Sequence, residues 1–237
     1  MRALSQSDCL HLWESGTGLH PLDQGLLALG AALPDTSRDT LADWPLGRRN
    51  LALVQLRCAS FGSLLQGWMK CRNCGENLEI EIDAQSLGGN AARQDQALPD
   101  RIVFREQSFR LPTTRDLATV VRENDARSAA IRVVKNCCLE IERDRDWSDD
   151  DLDQIGQELA AADPLAEMRL ALRCPVCGSE WDEELDIVSF LWREIEARAR
   201  KLLFEVHTLA STYGWAEAHI LAMSDTRRAL YLELAQS

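Results

Sequence analysis

The chain has 237 residues, with 38 acidic against 26 Lys and Arg side chains, a net charge of −12, and a hydrophobic share of 46%. With only 13 Gly and 7 Pro it is neither collagenous nor disordered, and it is long enough to bury a large core without disulfides. The acidic balance is the wrong sign for a surface that displaces counterions from a phosphate backbone, and the longest apolar stretch, Leu26 to Leu33, falls far short of the ~20 residues that span a bilayer.

In chain order, Leu10, Leu12 and Trp13 behind the caps Ser5 and Ser7 predict a short amphipathic helix over 5–15. No apolar core follows the opening MRALSQSD, so no secretory signal and a cytoplasmic protein are expected. His20-Pro21 starts a second helix that runs to Pro34, and Leu51, Val54, Leu56 and Cys58 mark a third over 47–60. A β-hairpin follows, with strands near 65–70 and 77–83, and then a loop over 86–100. Ile102, Phe104, Phe109 and Leu111 alternate as a second small hairpin. Thr113 with Asp116 reads as a helix start, and helices are expected near 114–123 and 126–142. Ser148 with Asp149, Asp150 and Asp151 starts another, which ends before Asp163-Pro164; the acids face the helix dipole. A further hairpin, near 167–173 and 180–187, leads into a long helix over 188–212 stopped by Tyr213-Gly214. Short helices near 215–222 and 225–235 end the chain.

Four of the eight cysteines form two Cys-x-x-Cys-Gly knuckles, Cys71-Arg72-Asn73-Cys74-Gly75 and Cys174-Pro175-Val176-Cys177-Gly178. The tight turn aims two thiolates at one point, and two knuckles supply the four ligands of a closed tetrahedral zinc site. A lone Cys-x-x-Cys also serves as a redox dithiol, but at a strand-to-helix junction; both pairs here lie in strand–turn–strand patterns. A shift of 103 residues superimposes the knuckles and their flanks, placing Leu78, Ile82 and Asp83 on Trp181, Leu185 and Asp186. The expected fold class is therefore α+β: a split four-cysteine zinc ribbon of two β-hairpins surrounded by α-helices, with a helical C-terminal extension. Its parts are an N-terminal helical segment (1–62), the ribbon core with a helical insertion (63–187, insertion about 84–166) and the C-terminal helices (188–237). One structural Zn2+ on Cys71, Cys74, Cys174 and Cys177 is the expected cofactor, since four cysteines leave no open position for a reactive water.

The other cysteines read as packing residues. Cys9 and Cys58 lie in helical apolar patterns, and Cys137 and Cys138 are neighbours pointing in different directions. The four histidines are scattered, and no Gly-rich phosphate loop, His-Glu-x-x-His or Gly-x-Ser-x-Gly is present, so no enzyme is expected. Trp192, Trp215 and Tyr231 in the C-terminal tail are candidates for docking a partner, against the plainer reading of core packing.

Several stretches, taken in order, carry a resemblance. They are Leu12-Trp13-Glu14 with His20-Pro21-Leu22-Asp23, Asp43-Trp44-Pro45-Leu46-Gly47-Arg48-Arg49, the first knuckle, and Phe109-Arg110-Leu111-Pro112-Thr113-Thr114-Arg115-Asp116-Leu117. The second knuckle, Ser189-Phe190-Leu191-Trp192, Glu205-Val206-His207, Tyr213-Gly214-Trp215 and Arg227-Arg228 with Tyr231-Leu232 complete the set. Together they resemble the family of baseplate proteins of contractile phage tails and phage-tail-like injection systems, related to the T-even phage baseplate hub component. The resemblance implies a non-enzymatic part of a contractile particle assembled in the bacterial cytoplasm, with other baseplate, hub or tube proteins as partners. A transient assembly chaperone for hub or tube components is the first alternative. A zinc-ribbon module for nucleic acid or transcription is the second, and the acidic knuckle flanks Glu76, Glu79, Glu81, Glu180, Asp182, Glu183 and Glu184 speak against it.

Overall fold

The computed structural model describes residues 1–87, 99–140 and 147–235. In chain order they form α1 (Gln6–Gly16), α2 (Pro21–Ala32), α3 (Arg38–Ala42), α4 (Leu46–Phe61), β1 (Leu64–Lys70), β2 (Asn77–Asp83), α5 (Ala84–Leu87), β3 (Ile102–Phe104) and β4 (Gln107–Phe109). Then come α6 (Thr114–Val120), α7 (Ala126–Cys137), α8 (Asp149–Ala162), β5 (Arg169–Arg173), β6 (Glu180–Glu184), α9 (Ile187–Tyr213), α10 (Glu217–Leu221) and α11 (Asp225–Ala235). The fold is mixed α+β, and the described strands pair as three antiparallel hairpins, β1–β2, β3–β4 and β5–β6.

Short polar side chains fix the helix starts. Ser5 with Asp8, Thr113 with Asp116 and Ser148 with Asp151 each close a capping box at α1, α6 and α8, satisfying first-turn N–H groups that have no partner within the helix. Asp186 accepts from the Val188 and Ser189 N–H groups at the start of α9, and Gly214, at φ 67°, stops that helix in the left-handed region.

Beyond end shifts of up to three residues, as where α6 stops at Val120 and β6 at Glu184, three elements differ from the sequence reading. α3 has five residues, too few for an apolar repeat to register. The loop expected over 86–100 falls mostly on residues outside the described ones, and its first two positions belong to α5. α7 ends at Cys137 instead of running to 142. There the Arg110 N–H donates to the Cys137 carbonyl and the Leu139 N–H to that of Ser108, each at 2.9 Å, so the chain leaves the helix to lie along β4; residues 141 and 142 lie outside the described ones.

The larger core gathers α1, α2, α4 and the first half of α9 around Leu12, Leu29, Leu53, Leu56, Leu191 and Ile195. It also takes in Leu65, Ala84, Met168 and Ile187 from the bases of two hairpins, so these hairpins stand on the helical body. A second core lies in the insertion, where Phe109, Val134, Trp147 and Ile155 pack β4, α7 and α8 together. Cys9 is buried in the first core and Cys58 packs against it, while Cys137 and Cys138 are buried in the second.

The insertion is tied to the helical body at the start of α4. The Leu46 N–H donates to the Pro112 carbonyl at 3.0 Å, and the Gly47 N–H to Asp163 Oδ2 at 2.8 Å. A Cβ at residue 47 would overlap that carboxylate, so the close approach requires glycine. Asp163 is buried, and its other oxygen has no hydrogen-bond partner among the described residues. Burial raises its pKa above 3.8, against the opposing pull of the Gly47 N–H. Because the folded pKa is raised, the group's favourable contribution is complete below 3.8 and is lost as pH rises through the folded value. Asp163→Asn is therefore expected to flatten that decline when urea midpoints are compared across pH. Asp163→Ala strands the Gly47 N–H and should cost about 1–3 kcal/mol.

Candidate metal centre

Each of the two hairpins β1–β2 and β5–β6 turns in the same way. The Cys71 N–H donates to the Glu76 carbonyl at 2.8 Å and the Gly75 N–H to that of Cys71 at 2.9 Å; the Cys174 N–H donates to Ser179 and the Gly178 N–H to Cys174 at the same two distances. Gly75 and Gly178 stand at φ 74° and 72°, where a side chain would strain the backbone. The strand registers repeat as well. Met69 faces Leu78 and Lys70 faces Asn77 in one hairpin, as Leu172 faces Trp181 and Arg173 faces Glu180 in the other. The 103-residue shift thus carries a bonding pattern as well as letters. It extends past the hairpins, since Asp83 leads straight into α5 and Asp186 into α9, with Ala84 and Ile187 both buried in the larger core.

The two knuckles face each other. The sulfurs of Cys71, Cys74, Cys174 and Cys177 all lie within 4.8 Å of one another, and the cross-hairpin pairs Cys71–Cys177 and Cys74–Cys174 are each 3.7 Å apart. In each knuckle the first cysteine is buried and the second exposed. Backbone N–H groups aim at the sulfurs. The Ser179 N–H, helped by the Asn73 amide 3.6 Å from Cys177 Sγ, draws the Cys177 thiol down to about 6. The Cys74 N–H likewise lowers that of Cys71. The Glu76 N–H pulls on Cys74 in the same sense, yet burial and the neighbouring sulfurs hold that thiol at about 12, because packed thiols resist successive negative charges. A cation among them removes that resistance. The four cysteines cluster compatibly with one metal site.

Around the cluster, Leu78, Met69 and Trp181 pack against Cys71 and Cys174. Arg72 donates across the two hairpins to Glu183 at 2.7 Å, and the same carboxylate oxygen accepts from the Trp181 indole at 3.2 Å. The outward faces of the hairpins are acidic, with Glu79, Glu81, Asp182 and Glu184 exposed.

The three aromatic residues singled out for docking are separated by the structure. Trp192 is 9% exposed and belongs to the larger core, its ring lying over Gly16 where a Cβ would overlap it. For Trp192 the structure thus favours the plainer reading of core packing, because α1 packs against α9 there. Trp215 and Tyr231 are half-buried and meet edge-on with centroids 4.8 Å apart, while Trp215 stacks on Tyr213 at 4.6 Å; the cluster fastens α11 to the end of α9. The sequence reading missed Asn73 and the strand glycine Gly67. For Gly67 a signal exists in the 103-residue shift, which sets it on Leu170.

Among the described residues, no helix is long and apolar enough to cross a membrane. No family model, curated protein or solved structure matches the chain.

Proposed function

We propose that the four cysteines hold one structural zinc ion, and that the chain is a non-enzymatic structural or assembly protein of the baseplate or hub of a phage-tail-like contractile injection system, put together in the bacterial cytoplasm. The observation that carries the metal reading is the sulfur geometry. Four sulfurs about 2.3 Å from one zinc, at the corners of a tetrahedron, stand about 3.8 Å apart, and the two cross-hairpin pairs are at 3.7 Å. A four-thiolate shell has no vacant position for water, so the ion's work is mechanical. It joins the two ends of the segment 75–173, and binding free energy becomes folding free energy for both hairpins.

The particle setting rests on the ordered set of segments that resembles the baseplate family. A metal-pinned core standing on a helical body suits a scaffold that meets several neighbours, and a net charge of −12 suits basic hub or tube surfaces. The acidic hairpin faces repel phosphates and disfavour the nucleic-acid reading. The test is fractionation. With the chromosomal copy tagged, a gentle lysate is run on a density gradient and followed by mass spectrometry beside sheath and tube proteins. Comigration at fixed stoichiometry through a salt wash is the expected result for a resident subunit. Light fractions that retain hub or tube precursors identify a chaperone, and recovery with neither overturns the contractile-particle reading.

A further inference from the structure

A cleft of about 450 Å³ separates the β1–β2 hairpin from β6 and α9. Leu65, Met69, Ile80, Ile82, Leu170 and Phe190 make its floor apolar. Gly67 opens it. This residue sits mid-strand, opposite Ile80, where its register counterpart in the other hairpin is Leu170. A Cβ built there meets nothing within 4 Å, and its φ lies outside the left-handed region, so neither crowding nor backbone geometry requires glycine. Glycine weakens a strand interior and marks places where another backbone comes close.

Leu64, at the start of the β1 edge that borders the cleft, accepts at its carbonyl from Arg57 at 2.6 Å. Beyond it this edge has no strand partner: among the described residues, β1 has one strand neighbour, β2. The Ala84 N–H donates to Ser63 and the Cys71 N–H to Glu76, at 2.7 and 2.8 Å. Hydrogen-bonded pairs alternate in an antiparallel ladder, so with the observed register Leu65, Gly67 and Met69 bond to β2. Gln66 and Trp68 then turn their N–H and C=O groups away from β2, and both residues line the cleft. The Trp68 ring is 73% exposed. On the opposite wall stand Glu183, Glu184, Asp186 and Glu194 beside Arg193. Glu183 and Glu194 are paired with Arg72 and Arg57 and Asp186 caps α9, while Glu184 is exposed with no ion pair among the described residues.

We propose that this cleft receives an extended segment of a partner protein, alternating apolar with Lys or Arg residues, which adds as a third strand to the free edge of β1. Its apolar side chains enter the space over Gly67, its cations meet the exposed carboxylates Glu79, Glu81 and Glu184, and its backbone pairs with Gln66 and Trp68. The inference rests on the zinc reading in one respect, that the ion holds the two hairpins side by side.

The probe is a nine-residue peptide alternating Arg and Val, blocked at both ends, titrated into the full-length protein with zinc content measured on the same samples. The expected result is saturable binding with slowed exchange of the Gln66 and Trp68 amides. Gly67→Leu should weaken it at least tenfold while leaving zinc and thermal stability intact, since the new side chain fills open space. Two further peptides test the pairing without touching the protein, one N-methylated at every Arg and the other at every Val. Loss of binding for one and retention for the other is expected, because each set blocks one edge of the added strand. Equal binding of both, binding of a Glu-for-Arg analogue, or Gly67→Leu binding as tightly as wild type overturns the proposal. So does dimerisation of the free protein that Gly67→Leu abolishes, which assigns the cleft to a second copy. Absent peptide binding in zinc-loaded protein refutes the cleft alone, whereas absent zinc refutes the metal reading.

Discussion

Cys74→Ser or Cys177→Ser is expected to release the metal and unfold both hairpins together, though these two cysteines are the exposed members of the cluster. Four-ligand zinc sites bind with about 10–16 kcal/mol at neutral pH, comparable with the entire ~5–15 kcal/mol stability of a domain. Serine at one corner forfeits a large part of that. The remaining thiols then crowd within 4.8 Å without a cation to neutralise them. Beyond their bases, which Leu65 and Met168 anchor in the larger core, the hairpins have little else to hold them, since each is two-stranded and its apolar face is only partly covered. Hydrogen exchange should show loss of protection over 64–83 and 169–184 in the same variant, whichever knuckle carries the substitution. The second core, around Phe109, Trp147 and Ile155, has no residue in the cluster and should keep its protection. A quadruple Cys→Ser chain that unfolds cooperatively at the wild-type midpoint would contradict the account.

Arg228→Ala is expected to detach α11 while leaving the metal in place. The guanidinium is 2% exposed. It donates to Glu205 of α9, to Gln6 of α1 at 2.7 Å, to Asp225 at 2.9 Å and to the Met223 carbonyl. Truncation leaves the buried Glu205 carboxylate with Lys201 at 3.7 Å as its nearest cation. Removing one partner from a buried pair costs about 3–5 kcal/mol. The loss should register as exchange of the α11 amides and a changed Trp215 fluorescence, since Tyr231 leaves its edge-on contact with that ring. Arg228→Lys should recover only part of the effect, because an ammonium cannot reach the same set of acceptors as a planar fork. Unchanged protection of α11 in the alanine variant would contradict this role.

What the sequence made legible was local or repeated. Both knuckles, the three hairpins and the caps at Ser5, Thr113 and Ser148 depend on residues within a few positions of one another, and the structure places them accordingly. The convergence of four cysteines on one point was legible through the repeat, because the second knuckle copies the first. Features set by distant contacts were not. Trp192 lies inward because α1 covers it, α7 stops early because β4 offers Cys137 and Leu139 better partners than another helical turn, and Asp163 is buried because Gly47, far away in sequence, leaves room for it. A single sequence carries the propensity of each residue but not which surface will arrive against it.

The most direct test of the central claim is the metal itself. Protein purified from its producing cells, with neither added zinc nor chelator, should carry one zinc per chain. Cys71, Cys74, Cys174 and Cys177 should resist alkylation until a chelator is added, and then all four should react together as the hairpins lose hydrogen-exchange protection. A folded chain without metal, in which those four cysteines alkylate as readily before chelation as after it, would contradict the account.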